Sequence, residues 1–164
     1  MLLLGFSAGL PFFLVFSSLT AWLRQAGIQR GTIGMLAWVG LAYTFKFLWS
    51  PIVDRMPLPL LTRWLGRRRS WLLLAQVGIA FGLVHLSLSD PATGVAGIAL
   101  WAVFTAFCSA TQDIALDAWR IESAPVAEQG AMVSAYQIGY RIALTVASAG
   151  LFAVADLAGW RAAY

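Results

Sequence analysis

Five long blocks of apolar residues constrain the fold more than any other feature of this sequence, and short polar or charged segments separate them. An α-helix rises ~1.5 Å per residue, so about 20 apolar residues cross a hydrocarbon core of ~30 Å. Only 11% of the residues are charged and 60% are hydrophobic, whereas about a quarter of the residues in a soluble domain are charged. We therefore predict an all-α, polytopic membrane helix bundle surrounded by lipid.

The blocks predict spans at residues 2–23, 32–53, 71–88, 95–119 and 131–155. Pro11 predicts a kink in the first span because proline removes a backbone donor. Gly78 and Gly82 have the small-xxx-small spacing typical of close helix packing. Residues 58–65 predict a short amphipathic segment at the membrane interface, with Trp64 as its anchor. The sequence stops where a sixth helix is expected to begin, which suggests a truncated chain.

Composition also argues against several classes of protein. A single cysteine, Cys108, and a single histidine, His85, rule out a disulfide framework and a His/Cys metal cluster, and we expect no cofactor. The net charge of +4 does not indicate a nucleic-acid surface, because the basic residues concentrate in one loop between apolar blocks. Met1 opens directly into an apolar run, so we expect no cleaved signal peptide.

The distribution of basic residues predicts the orientation in the membrane. Arginines accumulate on the side of the loop after the second span, namely Arg55, Arg63, Arg67, Arg68, Arg69 and Arg120, whereas the opposite side holds Arg24, Arg30 and Arg161. Cytoplasmic loops carry an excess of Lys and Arg. The amino terminus of this multi-pass protein is therefore predicted to be cytoplasmic.

Four charged residues fall inside predicted spans: Lys46, Asp113, Asp117 and Arg141. Each costs ~2.5–3.5 kcal/mol at the centre of a helix in lipid, so we expect opposite charges to pair inside the bundle. Helix geometry places Asp113 about 9 Å and Lys46 about 10 Å from the same membrane surface, with Arg141 about 15 Å deep. We predict that Lys46, Asp113 and Arg141 meet.

This charged group has two interpretations. One is a structural ion-pair network that only holds the second, fourth and fifth spans together. The other is a substrate and proton site facing a water-filled cavity, in which a carboxylate takes up and releases a proton. The candidate site residues are Asp113, Lys46, Arg141, Gln112 and Tyr140, with Asp113 as the leading proton carrier. The third span lacks charge and is expected to face lipid.

Four segments carry a resemblance to a known family: residues 43–55, 65–73, 107–122 and 139–143. They resemble the AmpG-type muropeptide permeases of the major facilitator superfamily, with the Gln-Asp-x-x-x-Asp-x-Trp run from Gln112 to Trp119 as the most specific signature. Eukaryotic acetyl-CoA transporters are similar over the same signature. The resemblance implies the partial amino-terminal lobe of a major-facilitator fold, with about five spans and a missing carboxyl-terminal lobe.

The resemblance also implies a function and a gate. The function is import of anhydromuramyl sugar–peptides with protons across the bacterial inner membrane. The gate is a cytoplasmic latch formed by Asp54, Arg55, Arg67 and Arg68 with an acidic partner, to which Asp117 or the Asp117–Arg120 pair corresponds. Two features depart from the superfamily pattern: Pro51 stands where a glycine is usual, and residues 56–65 lengthen the loop.

Other functions remain as alternatives. A carrier for another anionic metabolite, such as a coenzyme A thioester, fits the same resemblance. An integral-membrane transferase would need a convergent nucleophile, base and oxyanion donors; the sequence offers no such set and no HExxH motif, so we do not expect an enzyme. A receptor with a carrier fold would be distinguished by the absence of flux.

Overall fold

The computed structural model describes the backbone of residues 1–164 and all side chains except those of Met35, Ala37 and Thr93. In chain order its helices are α1 (Leu2–Gln25), α2 (Arg30–Leu48), α3 (Ser50–Arg55), α4 (Leu61–Leu65), α5 (Arg67–Leu88), α6 (Val95–Ser123), α7 (Val126–Ala158) and α8 (Trp160–Ala163). Five of them, α1, α2, α5, α6 and α7, are long and apolar enough to cross a membrane. The predicted all-helical, polytopic architecture is confirmed.

The second span is shorter and less regular than the sequence predicted. It ends at Leu48 and contains two 3₁₀ stretches, Leu36–Gly40 and Phe45–Leu48. The separate helix α3 follows, with Pro51 in its first turn. Proline lacks an N–H and so cannot continue the hydrogen bonds of a preceding helix, but it fits the first turn of a new helix. Pro51 therefore accounts for the break.

The first span contains Pro11 and, just after it, a π-helical turn at Leu14–Ser18. Such turns leave carbonyl groups available to other donors. The Leu14 carbonyl accepts hydrogen bonds from Ser18 Oγ at 2.6 Å and from Tyr164 Oη at 2.9 Å. The carboxyl-terminal residue described is thus attached to the middle of α1.

Glycines allow α1 and α7 to pack backbone against backbone. A Cβ added to Gly5 would overlap the carbonyl oxygen of Tyr136, and one added to Gly139 would overlap the carbonyl oxygen of Leu2. Close approach of this kind is how membrane helices gain van der Waals contact in the absence of a hydrophobic driving force between them. These two helices form one of the two most extensive helix pairs of the chain.

The other extensive pair is α5 with α6. Gly78 and Gly82 of α5 lie directly against Cys108 and Thr105 of α6. The small-xxx-small spacing therefore marks a helix contact, as predicted. Another side of α5 carries exposed apolar residues, including Val77, as expected of a helix that faces lipid.

The consecutive helices α6 and α7 contact each other only sparingly. Near their connection Gln129 Nε2 donates to the Ala124 carbonyl at 2.8 Å, and Arg120 donates to Gln129 Oε1 at 3.3 Å. Farther along the two helices, each packs mainly against a different partner, α5 for α6 and α1 for α7. A space therefore remains between α6 and α7, and α2 forms part of the wall of that space.

Candidate functional site

A polar cavity of about 310 Å³ opens between α2, α6 and α7. The cavity is lined by Lys46, Asp113, Asp117, Arg120, Val133, Tyr136, Gln137 and Tyr140. Two positive and two negative side chains face the same space, so the charges of this lining balance. We call this space the polar cavity.

The predicted meeting of Lys46 and Asp113 is present in the polar cavity. The distance from Lys46 Nζ to Asp113 Oδ2 is 3.9 Å, and the side chains are 36% and 21% exposed. At an effective dielectric constant of about 20, two unit charges at this distance attract by about 4 kcal/mol. Because both side chains are partly solvated, the net stabilisation is smaller than that. The pair joins α2 to α6.

Three buried oxygen atoms close to this pair lack a hydrogen-bond partner within the described structure: Tyr43 Oη, Ser109 Oγ and Asp113 Oδ1. Tyr43 precedes Lys46 by three residues and Ser109 precedes Asp113 by four, so each lies about one helical turn from a member of the pair. The Tyr43 side chain lies beside Ser109 and within electrostatic range of Asp113. Buried polar atoms are costly without a partner, so a water molecule would stabilise this region. Of the three residues, Asp113 lines the polar cavity, whereas Tyr43 and Ser109 are not part of its lining.

Aromatic rings connect this region to α1 and α7. The ring of Phe12 lies 5.4 Å from that of Tyr43 and 6.3 Å from that of Tyr140, and the rings of Tyr140 and Tyr136 are 6.4 Å apart. Such distances are those of interacting aromatic pairs. The polar cavity therefore combines an ion pair with tyrosine hydroxyls and aromatic faces.

The prediction that Arg141 joins Lys46 and Asp113 is wrong. Arg141 is exposed and lines a different groove, with Ile138, Ile142, Thr145 and Val146. Tyr140, by contrast, lines the polar cavity. Consecutive residues of an α-helix point about 100° apart, so Tyr140 and Arg141 face different directions.

Gln112 is also absent from the lining of the polar cavity. It is buried, with 1% of its surface exposed, and it lines an apolar groove between α1 and α5. Its Nε2 donates to Ser7 Oγ at 3.4 Å, and its Oε1 lacks a partner within the described structure. Gln112 and Asp113 thus face different directions, for the same geometric reason as Tyr140 and Arg141. That Gln112 binds substrate or protons stays a prediction.

A second charged group joins the ends of three helices. Arg68, in the first turn of α5, contacts Asp54 of α3 at 2.5 Å and Glu122 of α6 at 2.6 Å. Its Nε donates to both carboxylate oxygens of Glu122, at 3.1 and 3.2 Å. Arg67 lies 4.0 Å from Glu122. We call these four residues the arginine latch.

The structure corrects the predicted acidic partner of this latch. Asp117 does not contact Arg68; it pairs with Arg120 of its own helix at 3.4 Å, and both line the polar cavity. Glu122 is the carboxylate of α6 that pairs with Arg68, because α6 continues to Ser123 and its last turn reaches the start of α5. Arg55 is exposed and forms no ion pair with any described residue.

Sequence reasoning missed Tyr43, Ser109, Tyr136, Gln137 and Glu122. Helical spacing offered a signal for some of them, since Tyr136 precedes Tyr140 by one turn and Ser109 precedes Asp113 by one turn. For metals, the described residues contain no group of three His, Cys, Asp or Glu side chains suited to hold an ion.

The chain is similar in sequence to known transporters and permeases. A family model described as acetyl-coenzyme A transporter 1 matches residues 1–156. The anhydromuropeptide permease of Escherichia coli K12 is 40% identical over 165 aligned residues, which cover 100% of this chain and 33% of the permease. A Rickettsia conorii protein designated AmpG 4 is 34% identical over 157 residues, covering 96% of this chain and 38% of that protein.

An uncharacterized protein of Haemophilus influenzae is 42% identical over 139 residues, covering 85% of this chain and 32% of that protein. The chain thus spans about a third of the length of these curated relatives. No solved structure matches the chain at a significant level. The resemblance to AmpG-type permeases that the sequence motifs indicated is confirmed.

Proposed function

The chain belongs to the family described as acetyl-coenzyme A transporter 1, and from this premise we propose that the full-length protein is a secondary active transporter that imports anhydromuramyl sugar–peptides with protons. The observation that carries the proposal is the Lys46–Asp113 pair in the polar cavity, with an unpartnered Asp113 oxygen beside it. We place the protein in the bacterial inner membrane, with its amino terminus in the cytoplasm.

The Lys46–Asp113 pair supplies a mechanism for coupling to protons. Protonation of Asp113 cancels its attraction to Lys46 and frees the ammonium group for an anionic group of the substrate. Release of the proton restores the pair and expels that group. A change in the solvation of the cavity shifts the balance between desolvation and the neighbouring positive charge, which are opposing influences on a carboxylate.

The energy available to such a site is sufficient. One proton that moves with a substrate of zero net charge through a membrane potential of 100 mV yields about 2.3 kcal/mol, which supports a concentration ratio of roughly fifty-fold. A single protonatable carboxylate therefore suffices, and Asp113 is the one that is paired with a cation from another helix in the polar cavity.

The lining of the polar cavity suits a sugar–peptide. The hydroxyls of Tyr136 and Tyr140 and the amide of Gln137, which line the cavity, both donate and accept hydrogen bonds, as sugar hydroxyls and peptide groups require. Ligand cavities usually measure about 300–1,000 Å³, so a cavity of about 310 Å³ encloses only part of so large a substrate. We propose that the rest of the site comes from a carboxyl-terminal lobe.

A carrier for a coenzyme A thioester is the alternative that the family description favours. Coenzyme A carries several phosphate charges, and phosphates are bound by clusters of Arg and Lys. In the polar cavity Lys46 and Arg120 are matched by Asp113 and Asp117. The balanced charge favours a substrate with few net charges, such as a sugar–peptide. The relatives with assigned names are permeases or transporters, which disfavours an integral-membrane transferase.

We further propose that the arginine latch is the cytoplasmic gate. Arg68 connects α3, α5 and α6 through Asp54 and Glu122. These contacts lie at helix ends, where a rocking motion of one part of the protein against another makes and breaks them. Asp117 and Arg120, which line the polar cavity, then belong to the path between the gate and the coupling pair.

The test is uptake of radiolabelled anhydromuropeptide into energised membrane vesicles that contain the full-length protein. Asp113→Asn keeps size and hydrogen bonding but removes the titratable group, so uphill accumulation is abolished while downhill exchange persists. Asp156→Asn, the same change at an exposed position of α7, serves as the control and accumulates substrate like the parent.

Two results would contradict this proposal. If Asp113→Asn accumulates substrate like the parent, Asp113 does not couple transport to protons. If a protonophore leaves accumulation by the parent unchanged, protons do not drive it. Transport of an acetyl-CoA analogue in place of the muropeptide would instead favour the alternative substrate.

A further inference from the structure

The segment between α3 and α5, residues 56–66, has a defined shape although it is a loop with one short helix. The indole of Trp71 donates to the Met56 carbonyl at 3.0 Å, which fixes the start of the segment against α5. The Leu58 N–H donates to Thr62 Oγ1 at 2.8 Å, and Ser70 Oγ donates to the Gly66 carbonyl at 2.6 Å. These hydrogen bonds hold the backbone of the segment in one conformation, so its side chains form a defined surface.

Large apolar side chains project from this surface. Trp64 is 87% exposed and Leu60 is 76% exposed. Leu60 has φ of 70°, and it is the one non-glycine residue with positive φ in the described backbone. Such a conformation is unfavourable for a residue with a Cβ. A leucine in an unfavourable backbone conformation and a largely exposed tryptophan indicate an apolar surface that binds a partner.

Positive charge is in excess within this segment and directly after it. Arg68 is neutralised by Asp54 and Glu122 within the arginine latch. Arg63 and Arg69 are exposed, and neither forms an ion pair with a described residue. Two free guanidinium groups thus flank the exposed tryptophan in the sequence. Guanidinium groups bind phosphate oxygens through paired hydrogen bonds.

Its position relative to the membrane identifies the partner. The spanning helix α5 begins at Arg67, directly after the segment, so the segment lies at the level of a membrane surface. We propose that Arg63 and Arg69, together with Trp64 and Leu60, form a docking surface for anionic phospholipids. The arginines bind the phosphate and the apolar side chains enter the boundary between headgroups and acyl chains.

A soluble anion would satisfy the arginines but leave Trp64 and Leu60 in water. A lipid satisfies both, because one molecule presents a phosphate and a hydrocarbon region at adjacent depths. The proposed lipid site is separate from the site of the transported substrate, since it lies on the outer surface of the segment and not in the polar cavity.

The experiment measures quenching of tryptophan fluorescence by brominated lipids in bilayers that contain the full-length protein. Brominated phosphatidylglycerol is compared with brominated phosphatidylcholine, and the contribution of Trp64 is the difference between the parent and Trp64→Phe. We expect phosphatidylglycerol to quench Trp64 preferentially. A basic residue near an anionic surface contributes ~1 kcal/mol, so the double variant Arg63→Gln/Arg69→Gln lowers this preference by roughly 30-fold.

The double variant Arg24→Gln/Arg161→Gln is the control, because these arginines are also exposed but lie in the last turn of α1 and in α8. It leaves the lipid preference of Trp64 unchanged. Equal quenching by the two lipids, or a preference that survives loss of Arg63 and Arg69, would overturn the proposal. So would a Trp64 that neither lipid quenches, since it would then lie in water or beneath another protein.

Discussion

The ion pair between Lys46 and Asp113 leads to a quantitative prediction about stability. At 3.9 Å the attraction is at most about 4 kcal/mol for an effective dielectric constant of about 20. Both side chains are partly solvated, and exposed pairs contribute only ~0.2–1 kcal/mol. We therefore expect a coupling energy of about 1–2 kcal/mol between the two side chains, between these limits.

The perturbation is a double-mutant cycle with Lys46→Met, Asp113→Asn and the combined variant. Each single change leaves one charge without its partner, which costs more the deeper that charge is buried. Asp113 is the less exposed of the two, so Lys46→Met destabilises the protein more than Asp113→Asn does. The combined variant is less destabilised than the sum of the two single variants.

The assay is the free energy of unfolding of the full-length protein in bicelles, measured by steric trapping. A second cycle between Lys46 and Asp156 is the control. Asp156 lies about 24 Å along α7 from Tyr140, which lines the same cavity as Lys46, so this coupling is near zero. A Lys46–Asp113 coupling within about 0.5 kcal/mol of zero would refute the reasoning, because distant sites are additive within that range.

Two further predictions concern packing and the arginine latch. Gly139→Ala places a Cβ against the Leu2 carbonyl and lowers the free energy of unfolding by about 1–3 kcal/mol, whereas Gly130→Ala, where the Cβ meets open space, is neutral or stabilising by up to about 1 kcal/mol in the same assay. Arg68→Lys removes the planar group that bonds two carboxylates at once, so it lowers the thermal midpoint and the initial rate of uptake; an unchanged midpoint and rate would argue against the latch.

Lys46, Asp113 and Arg141 illustrate which contacts of the candidate site the sequence could predict. The cost of a charge in lipid was enough to predict that Lys46 and Asp113 pair, because two opposite charges on different spans at similar depth have few other partners. The same cost did not place Arg141, which lies on another face of α7 and lines a separate groove. The cost depends on depth, whereas the choice of partner depends on rotation about the helix axis.

The acidic partner of Arg68 illustrates the same difference. Motif position favoured Asp117, but the structure has Glu122 because the end of α6 reaches the start of α5. Helix ends are the part of a sequence that hydropathy resolves least, since polar residues at a terminus do not reveal whether the helix continues. The predicted fourth span ended at residue 119, and the helix continues to Ser123.

The sequence by itself determined that this protein lies in a lipid bilayer, and it determined the number and order of the membrane-spanning helices. That information is local: whether some 20 consecutive residues tolerate hydrocarbon depends on their own transfer energies. It also determined which residues needed partners. Only the tertiary structure decided which residues are those partners. It also placed Tyr43 and Ser109 near Asp113, with buried oxygens that lack a hydrogen-bond partner among the described residues. Those choices depend on how helices rotate and cross, which the glycine contacts of α1 with α7 and of α5 with α6 set through packing between distant segments.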